Sequence, residues 1–369
     1  MNEDKSARYH RLKRRAAVAS LAVSGAVPAL LLATGASHQL RDAAAGLGGS
    51  TPSGALTVAL FTVAFFLLQE AVLFPIAFYS SFRLERRYGL SSESAATWLA
   101  DHAKAFGITL AVAVAAVQLV YLPMRWWPDR WWLASAFLFM AATLALARLF
   151  PVLLMPLFYR FAPLEKPALR ERLEALSRKA GVPVLGVFEW GLGDKTRRAN
   201  AALVGTGSTR RILVSDTLLA EYSDDEIEVV LAHELAHHVH RDIHKGLAVE
   251  FILLLAAFYA AAWALHGSWE PLGLAGPADV AGLPILLLAG GGVMLAASPL
   301  VYALSRANEH RADRYAIALT GRPAAFVSAM RRLAAQNLAE PRPSKLALWL
   351  FHSHPPIEER IARARAAGG

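Results

Sequence analysis

Apolar positions in this chain fall into two textures. Long, nearly uninterrupted apolar runs alternate with stretches whose apolar residues recur at helical or strand spacing. A helix that crosses a bilayer needs about 20 mostly apolar residues. Six segments meet that length: 16–36, 55–79, 105–124, 131–158, 247–266 and 283–304. Trp126, Trp127, Trp131 and Trp132 stand at the entry of the fourth as an interfacial aromatic belt. Pro151 and Pro156 predict a bend near its end. The second segment holds an acid, Glu70, unusual at membrane depth. The first follows Lys5, Arg8, Arg11, Lys13, Arg14 and Arg15, so a cleaved signal peptide is an alternative, although the apolar run is long for that role.

Between the fourth and fifth segments, about residues 160–245, the pattern changes. Leu169, Leu173 and Leu176 predict an amphipathic helix over 167–180, stopped by Gly181. Residues 182–190 read as a strand, and Gly191 to Asp194 as a turn. Residues 199–204 and 211–215, joined by the Gly-Thr-Gly at 205–207, predict a hairpin. Asp216 or Thr217 is expected to cap a short helix, and Ser223 with Glu226 forms a capping box for the next, which carries Ile227, Val230, Leu231 and Leu235. The tail is polar, with a loop at 341–344, a patch around Trp349 and a final helix.

Charge adds orientation. Basic residues crowd the N-terminus, the second-to-third loop (Arg83, Arg86, Arg87, Lys104), the long polar stretch and the tail. The alternate loops hold Arg41 alone, then Arg125 and Arg130 with Asp129, then only Glu270 and Asp279. The positive-inside bias therefore predicts that both termini and the polar region face the cytoplasm. The net charge of +9 then reads as topology and anionic-lipid contact, not nucleic-acid binding. Composition agrees: 55% of residues are hydrophobic and 18% charged, against about a quarter charged in soluble domains. There is no cysteine, which excludes disulfide scaffolds, thiolate nucleophiles, iron–sulfur clusters and cysteine-ligated zinc. Any metal must be held by His, Asp and Glu.

On the capped helix stands His233-Glu234-Leu235-Ala236-His237. Histidines at i and i+4 share one face, and their imidazoles can reach one ion. Zinc accepts imidazole and carboxylate ligands and keeps a position open for water in catalytic sites. Glu234, next to the first ligand, can serve as general base toward that water. The helix is otherwise apolar, and burying His-Glu-His without a metal is costly. His238 and His240 lie off this face and His244 lies two turns on, so they read as residues at the membrane entry. A better third ligand is Glu309, just after the sixth segment. Asp313, one turn further, can accept a hydrogen bond from a ligand histidine and fix its tautomer.

The stretches His233 to His238, Ser305 to Asp313 and Ser353 to Arg360 resemble the type I CAAX prenyl endopeptidases, integral-membrane zinc metalloproteases. Residues 84–91, 156–164, 199–201 and 210–219 resemble further segments of that family. The resemblance implies His233, His237 and Glu309 as zinc ligands, one Zn2+ per chain, and Glu234 as general base. It implies that Asn200 holds substrate backbone and that His354 hydrogen-bonds the substrate carbonyl or the developing oxyanion. Arg360, on the helix behind His354, positions it or binds a carboxylate, and is grouped with Asn200 as a substrate contact. On sequence alone Asn200 is equally a turn residue and His354 equally a loop residue. Eukaryotic members have seven spans around an intramembrane chamber, against six here.

The expected fold is a multi-span α-helical membrane protein with a cytoplasmic α+β metalloprotease region of gluzincin type. Its parts are residues 1–158 with four spans, 159–246 with the hairpin and HExxH helix, 247–304 with two spans, and 305–369 with the third ligand and the His-Pro-Pro segment. The expected function is a zinc metalloendopeptidase in the plasma membrane of a bacterium, acting on peptides or proteins that are prenylated or membrane-bound. Alternatives are a membrane-protein quality-control protease without prenyl specificity and, in another class, a metal-binding transporter or receptor.

Overall fold

In the computed structural model, which describes residues 4–48, 51–205 and 207–367, the long apolar runs are helices. First come α1 (Lys5–Ala33), the short α2 (Ala36–Gly48) and α3 (Ala55–Ala77). A π-helical stretch over Phe78–Arg83 joins α3 to α4 (Leu84–Arg87), and α5 (Ala95–Trp126) and α6 (Trp131–Leu149) follow. Beyond α6 the chain continues as a π-helical turn, Phe150–Leu154, and a 3-10 turn, Met155–Leu157. The regular ladder thus ends where Pro151 and Pro156 withdraw backbone donors. Among the described residues six helical stretches are long and apolar enough to cross a membrane: Lys5–Ala33, Ala55–Arg87, Ala95–Trp126, Trp131–Leu157, Asp242–Ser268 and Val280–Thr320. The 13 residues of α2 reach only about 20 Å, short of a bilayer core of about 30 Å. Glu70 of α3 is not isolated: His102 of α5 meets it at 2.7 Å and stacks on Trp98.

The polar part holds a four-stranded sheet built from β1 (Phe161–Pro163), β2 (Gly186–Trp190), β3 (Ala201–Val204) and β4 (Arg211–Ser215), in the order β1-β2-β4-β3. β2 and β4 are parallel, and the two outer pairings are antiparallel. β3 is therefore an edge strand. Around the sheet lie α7 (Pro167–Lys179), α8 (Asp216–Glu221) and α9 (Asp224–Val239). Then come α10 (Asp242–Ser268), α11 (Leu283–Thr320), α12 (Pro323–Gln336), α13 (Lys345–Phe351) and α14 (Ile357–Ala367). One sheet face (Val187, Ile212, Val214) packs with Leu169 and Leu173 of α7, Ile227 and Leu231 of α9 and Phe326 of α12 in a continuous apolar core. A separate cluster around Phe61, Tyr121, Trp131 and Leu265 holds the spanning helices together.

Several expectations are refined. β2 begins at Gly186, not at residue 182, because Val182 closes the end of α7 by donating its N–H to the Ser177 carbonyl. Ser215, rather than Asp216 or Thr217, caps α8, its hydroxyl accepting from the Leu218 N–H. Asp216 instead accepts from the N–H groups of Leu192 and Gly193. The Ser223–Glu226 capping box is present. Thr206 of the hairpin turn lies outside the described residues. Most consequential for the site, α10 starts at Asp242 and α11 runs unbroken to Thr320. Hydropathy reports where a helix can lie in lipid, not where its backbone bonding stops.

Candidate metal centre

The capping box fixes where α9 starts, and 3.6 residues per turn then puts His233 and His237 on one side of it, their ring centroids 5.0 Å apart. α11 packs against α9 and brings Glu309 across both rings. Its Oε2 lies 3.3 Å from His233 Nε2 and its Oε1 3.4 Å from His237 Nε2. One ligand atom from each of the three residues lies within 4.8 Å of the others.

The far nitrogens are tied down as well. His233 Nδ1 is 2.9 Å from Asp313 Oδ1, and the buried Arg360 grips the same carboxylate with Nε at 2.8 Å and Nη2 at 2.6 Å. His237 Nδ1 is 3.1 Å from Asp242 Oδ2, and Asp242 Oδ1 accepts from Arg311. Each acid assigns the proton to Nδ1 and leaves an Nε2 lone pair facing Glu309. Two imidazole nitrogens and a carboxylate therefore converge with no donor between them, and the buried Glu309 Oε2 has no hydrogen-bond partner among the described residues. Such a set fits a divalent cation. In the metal-free chain a proton fills the gap. Burial alone would lower the His233 pKa, but the neighbouring carboxylates of Asp313 and Glu309 outweigh it and push it up to about 9. His237 follows the same logic: burial pulls it down, and Glu309 and Asp242 raise it above its ordinary value.

A cavity of about 320 Å³ opens beside this cluster. Glu234 lines it, with no hydrogen-bond partner among the described residues, and burial raises its pKa. Asn200, just before β3, lines it too, its backbone N–H donating to Ser215 Oγ at 2.9 Å. His354 stands exposed at the mouth, Nε2 at 3.5 Å from Glu309 Oε1 and Nδ1 at 2.9 Å from Ser353 Oγ. Arg360 borders the cavity, but its guanidinium is committed to Asp313. His240 packs edge-on against Tyr315 instead, and His310 turns toward Glu359. Sequence reasoning missed Asp242 and Arg311, and also His10 of α1 and Glu340, which line the cavity. The signal for Asp242 was available: an acid five residues past the second histidine, at the start of the next helix.

Residues 163–367, more than half of the chain, match the model of peptidase family M48, and residues 2–160 match one described as CAAX prenyl protease N-terminal, five membrane helices. An uncharacterized metalloprotease of Bacillus subtilis (strain 168), YhfN, is 29% identical over 344 residues, covering 91% of this chain and 79% of the relative. CAAX prenyl protease 1 of Saccharomyces cerevisiae is 28% identical over 320 residues, covering 80% of this chain and 69% of that protein. The crystal structure of Ste24p from S. mikatae superposes with a TM-score of 0.85 at 23% identity, covering 97% of this chain and 87% of that one, which shows a common fold. With its spanning helices and its His-His-Glu cluster, the chain belongs to peptidase family M48 and is a membrane-embedded, metal-dependent protease similar to the CAAX prenyl proteases.

Proposed function

We propose that the chain is a zinc endopeptidase whose substrates are prenylated or membrane-associated peptides. His233, His237 and Glu309 are the residues to hold the ion, three protein ligands being the number that leaves a catalytic position open. Bound there, zinc lowers the pKa of a water and polarises the scissile carbonyl. Glu234 takes the proton of the attacking water and returns it to the leaving amide nitrogen, a cycle for which a raised carboxylate pKa is suited. His354 donates from the cavity mouth to the oxygen on which negative charge develops. The open edge of β3 receives the peptide as an added strand, with Asn200 holding its backbone. Arg360 acts through Asp313, keeping His233 in one tautomer and orientation.

The observation that carries this reading is the convergence of two Nε2 atoms on the two oxygens of the buried Glu309 carboxylate, one of which has no hydrogen-bond partner among the described residues, beside a Glu234 that is likewise unbonded among them. A prenylated substrate is supported by similarity to the CAAX prenyl proteases. The basic loops, together with the Bacillus relative, support a bacterial plasma membrane with the catalytic region and both termini in the cytoplasm. The test is cleavage of a matched peptide pair, farnesylated and plain, by detergent-purified protein with and without a zinc chelator. Chelator-sensitive cutting of the farnesylated peptide alone is expected, whereas equal cutting of both would remove prenyl specificity. Glu234→Gln should keep its zinc and lose about 10²–10⁴-fold in turnover. Persistent cleavage by that variant would sink the assignment of Glu234.

A further inference from the structure

The sheet has a second face. Val187, Ile212 and Val214 point into the core, so Phe188, Arg211 and Leu213 alternate to the other side. Against that side lies the broken helical stretch after α6, and between them runs a groove of about 720 Å³. Val152, Pro156, Phe188 and Leu213 give it apolar walls. Two guanidiniums line it as well: Arg148 from the last turn of α6 and Arg211 from the start of β4. No acid lines the groove, and neither arginine has an ion-pair or hydrogen-bond partner among the described residues. Arg211 rests over the Phe188 ring, 5.4 Å from its centroid.

Arg148 is the one charged residue in 131–159. It sits in a spanning stretch among Leu146, Leu149, Phe150, Val152 and Leu153, all exposed. A cation there without a counter-ion is costly and marks a binding site. Nothing in the metal centre uses it.

We propose that this groove binds an anionic phospholipid, its phosphate held between Arg148 and Arg211 and an acyl chain lying along Val152, Pro156 and Leu213. Charge complementarity selects the headgroup, since two unpaired guanidiniums suit one phosphate and repel a cationic occupant. Basic pockets at the cytoplasmic end of spanning helices take such lipids. The apolar walls select a lipid over a free anion, which would leave them wet. The groove opens where a spanning stretch meets the sheet, which is where a headgroup lies.

The test uses full-length protein in detergent, with native mass spectrometry and titration against phosphatidylglycerol, phosphatidylcholine and inorganic phosphate. Phosphatidylglycerol should bind at least about tenfold more tightly than phosphatidylcholine. R148Q and R211Q should each weaken it about fivefold and the double variant about twenty-five-fold. Arg160, exposed and basic but outside the groove, is the control, and R160Q should change affinity by less than about twofold. An unchanged melting temperature of the double variant in phosphatidylcholine keeps a folding defect from mimicking the loss. Equal binding of both lipids, or an equal loss in R160Q, would overturn the proposal in favour of diffuse surface charge. Competition by millimolar phosphate would make it a free-anion site. If the double variant kept the lipid and only raised KM for peptides with a free C-terminal carboxylate, the groove would be a substrate site instead. None of these outcomes bears on the metal ligands.

Discussion

His233 and His237 are held by matching sets of groups in unlike surroundings. On the first arm His233, Asp313 and Arg360 each expose 9% of their side chains. On the second, His237 exposes 23%, Asp242 8% and Arg311 32%. Asp313 is gripped by two nitrogens of Arg360, whereas Asp242 takes one bond from Arg311 and has Lys245 at 3.6 Å. The first arm joins α9, α11 and α14 and so depends on the whole fold. In the second, the acid is the first residue of α10, set directly after the turn at which Arg241 adopts φ +56° to reverse the chain. The same chemistry is thus enforced once by burial and once by local geometry, and the two should fail differently.

The sharpest test of that difference is Asp313→Asn. It leaves the buried Arg360 without its counter-charge, which typically costs about 3–5 kcal/mol. It also frees the His233 ring, with an expected loss of about 10–100-fold in metal affinity. Denaturant unfolding of the metal-free chain and a competitive zinc titration measure the two. A stability change under about 1 kcal/mol would mean that Arg360 finds another partner and that burial is not what distinguishes the arms.

Metal affinity should also depend on pH. Metal must displace the proton of His233 and, at lower pH, that of His237, so affinity should rise at least about tenfold per pH unit from neutrality and flatten near 9. In the metal-free chain the sign is opposite. A histidine pKa raised by folding contributes stability that is complete below its ordinary value, near 6.5, and is lost as pH rises through about 9. Because the bond to Asp313 holds that pKa up, Asp313→Asn should move the plateau of metal affinity to lower pH. A plateau that stays put would show that Glu309, not Asp313, sets it.

Much of this was legible in advance, for physical reasons that also mark the limits. The six spans stand out because the bilayer imposes length and apolarity together. The i, i+4 histidines follow from helix geometry, and Glu309 with Asp313 repeats that spacing. Asp242 went unseen because hydropathy opened the fifth span at residue 247, while the helix itself begins at the aspartate. Arg360 reads from sequence as a substrate contact because burial beside an acid 47 residues away leaves no local pattern. β1, three residues long, offers no periodicity to detect. The placement of His10, in the second turn of α1, at the cavity is likewise set by tertiary packing.

Asp242→Asn should be milder than Asp313→Asn. Arg311 already donates to Asn308 Oδ1 at 2.8 Å and its partly exposed guanidinium can turn to water, so the stability loss should stay near about 1 kcal/mol and the fall in metal affinity near about tenfold. Arg311→Gln is the smallest change and the cleanest comparison with its buried counterpart. Asp242 is buried but Arg311 is partly open to solvent, and an ion pair that water can reach contributes about 0–1 kcal/mol. Lys245 remains to balance Asp242, and Asp242 itself still orients His237. Metal affinity should therefore fall by less than about threefold, within what such a pair contributes. Arg360→Gln, measured beside it, should show the much larger effect of leaving Asp313 buried and unpaired. If the two substitutions proved equal, burial would not separate the arms. Each arginine would then act mainly by setting the electrostatic potential at the ligands, and both effects would shrink together as salt is added.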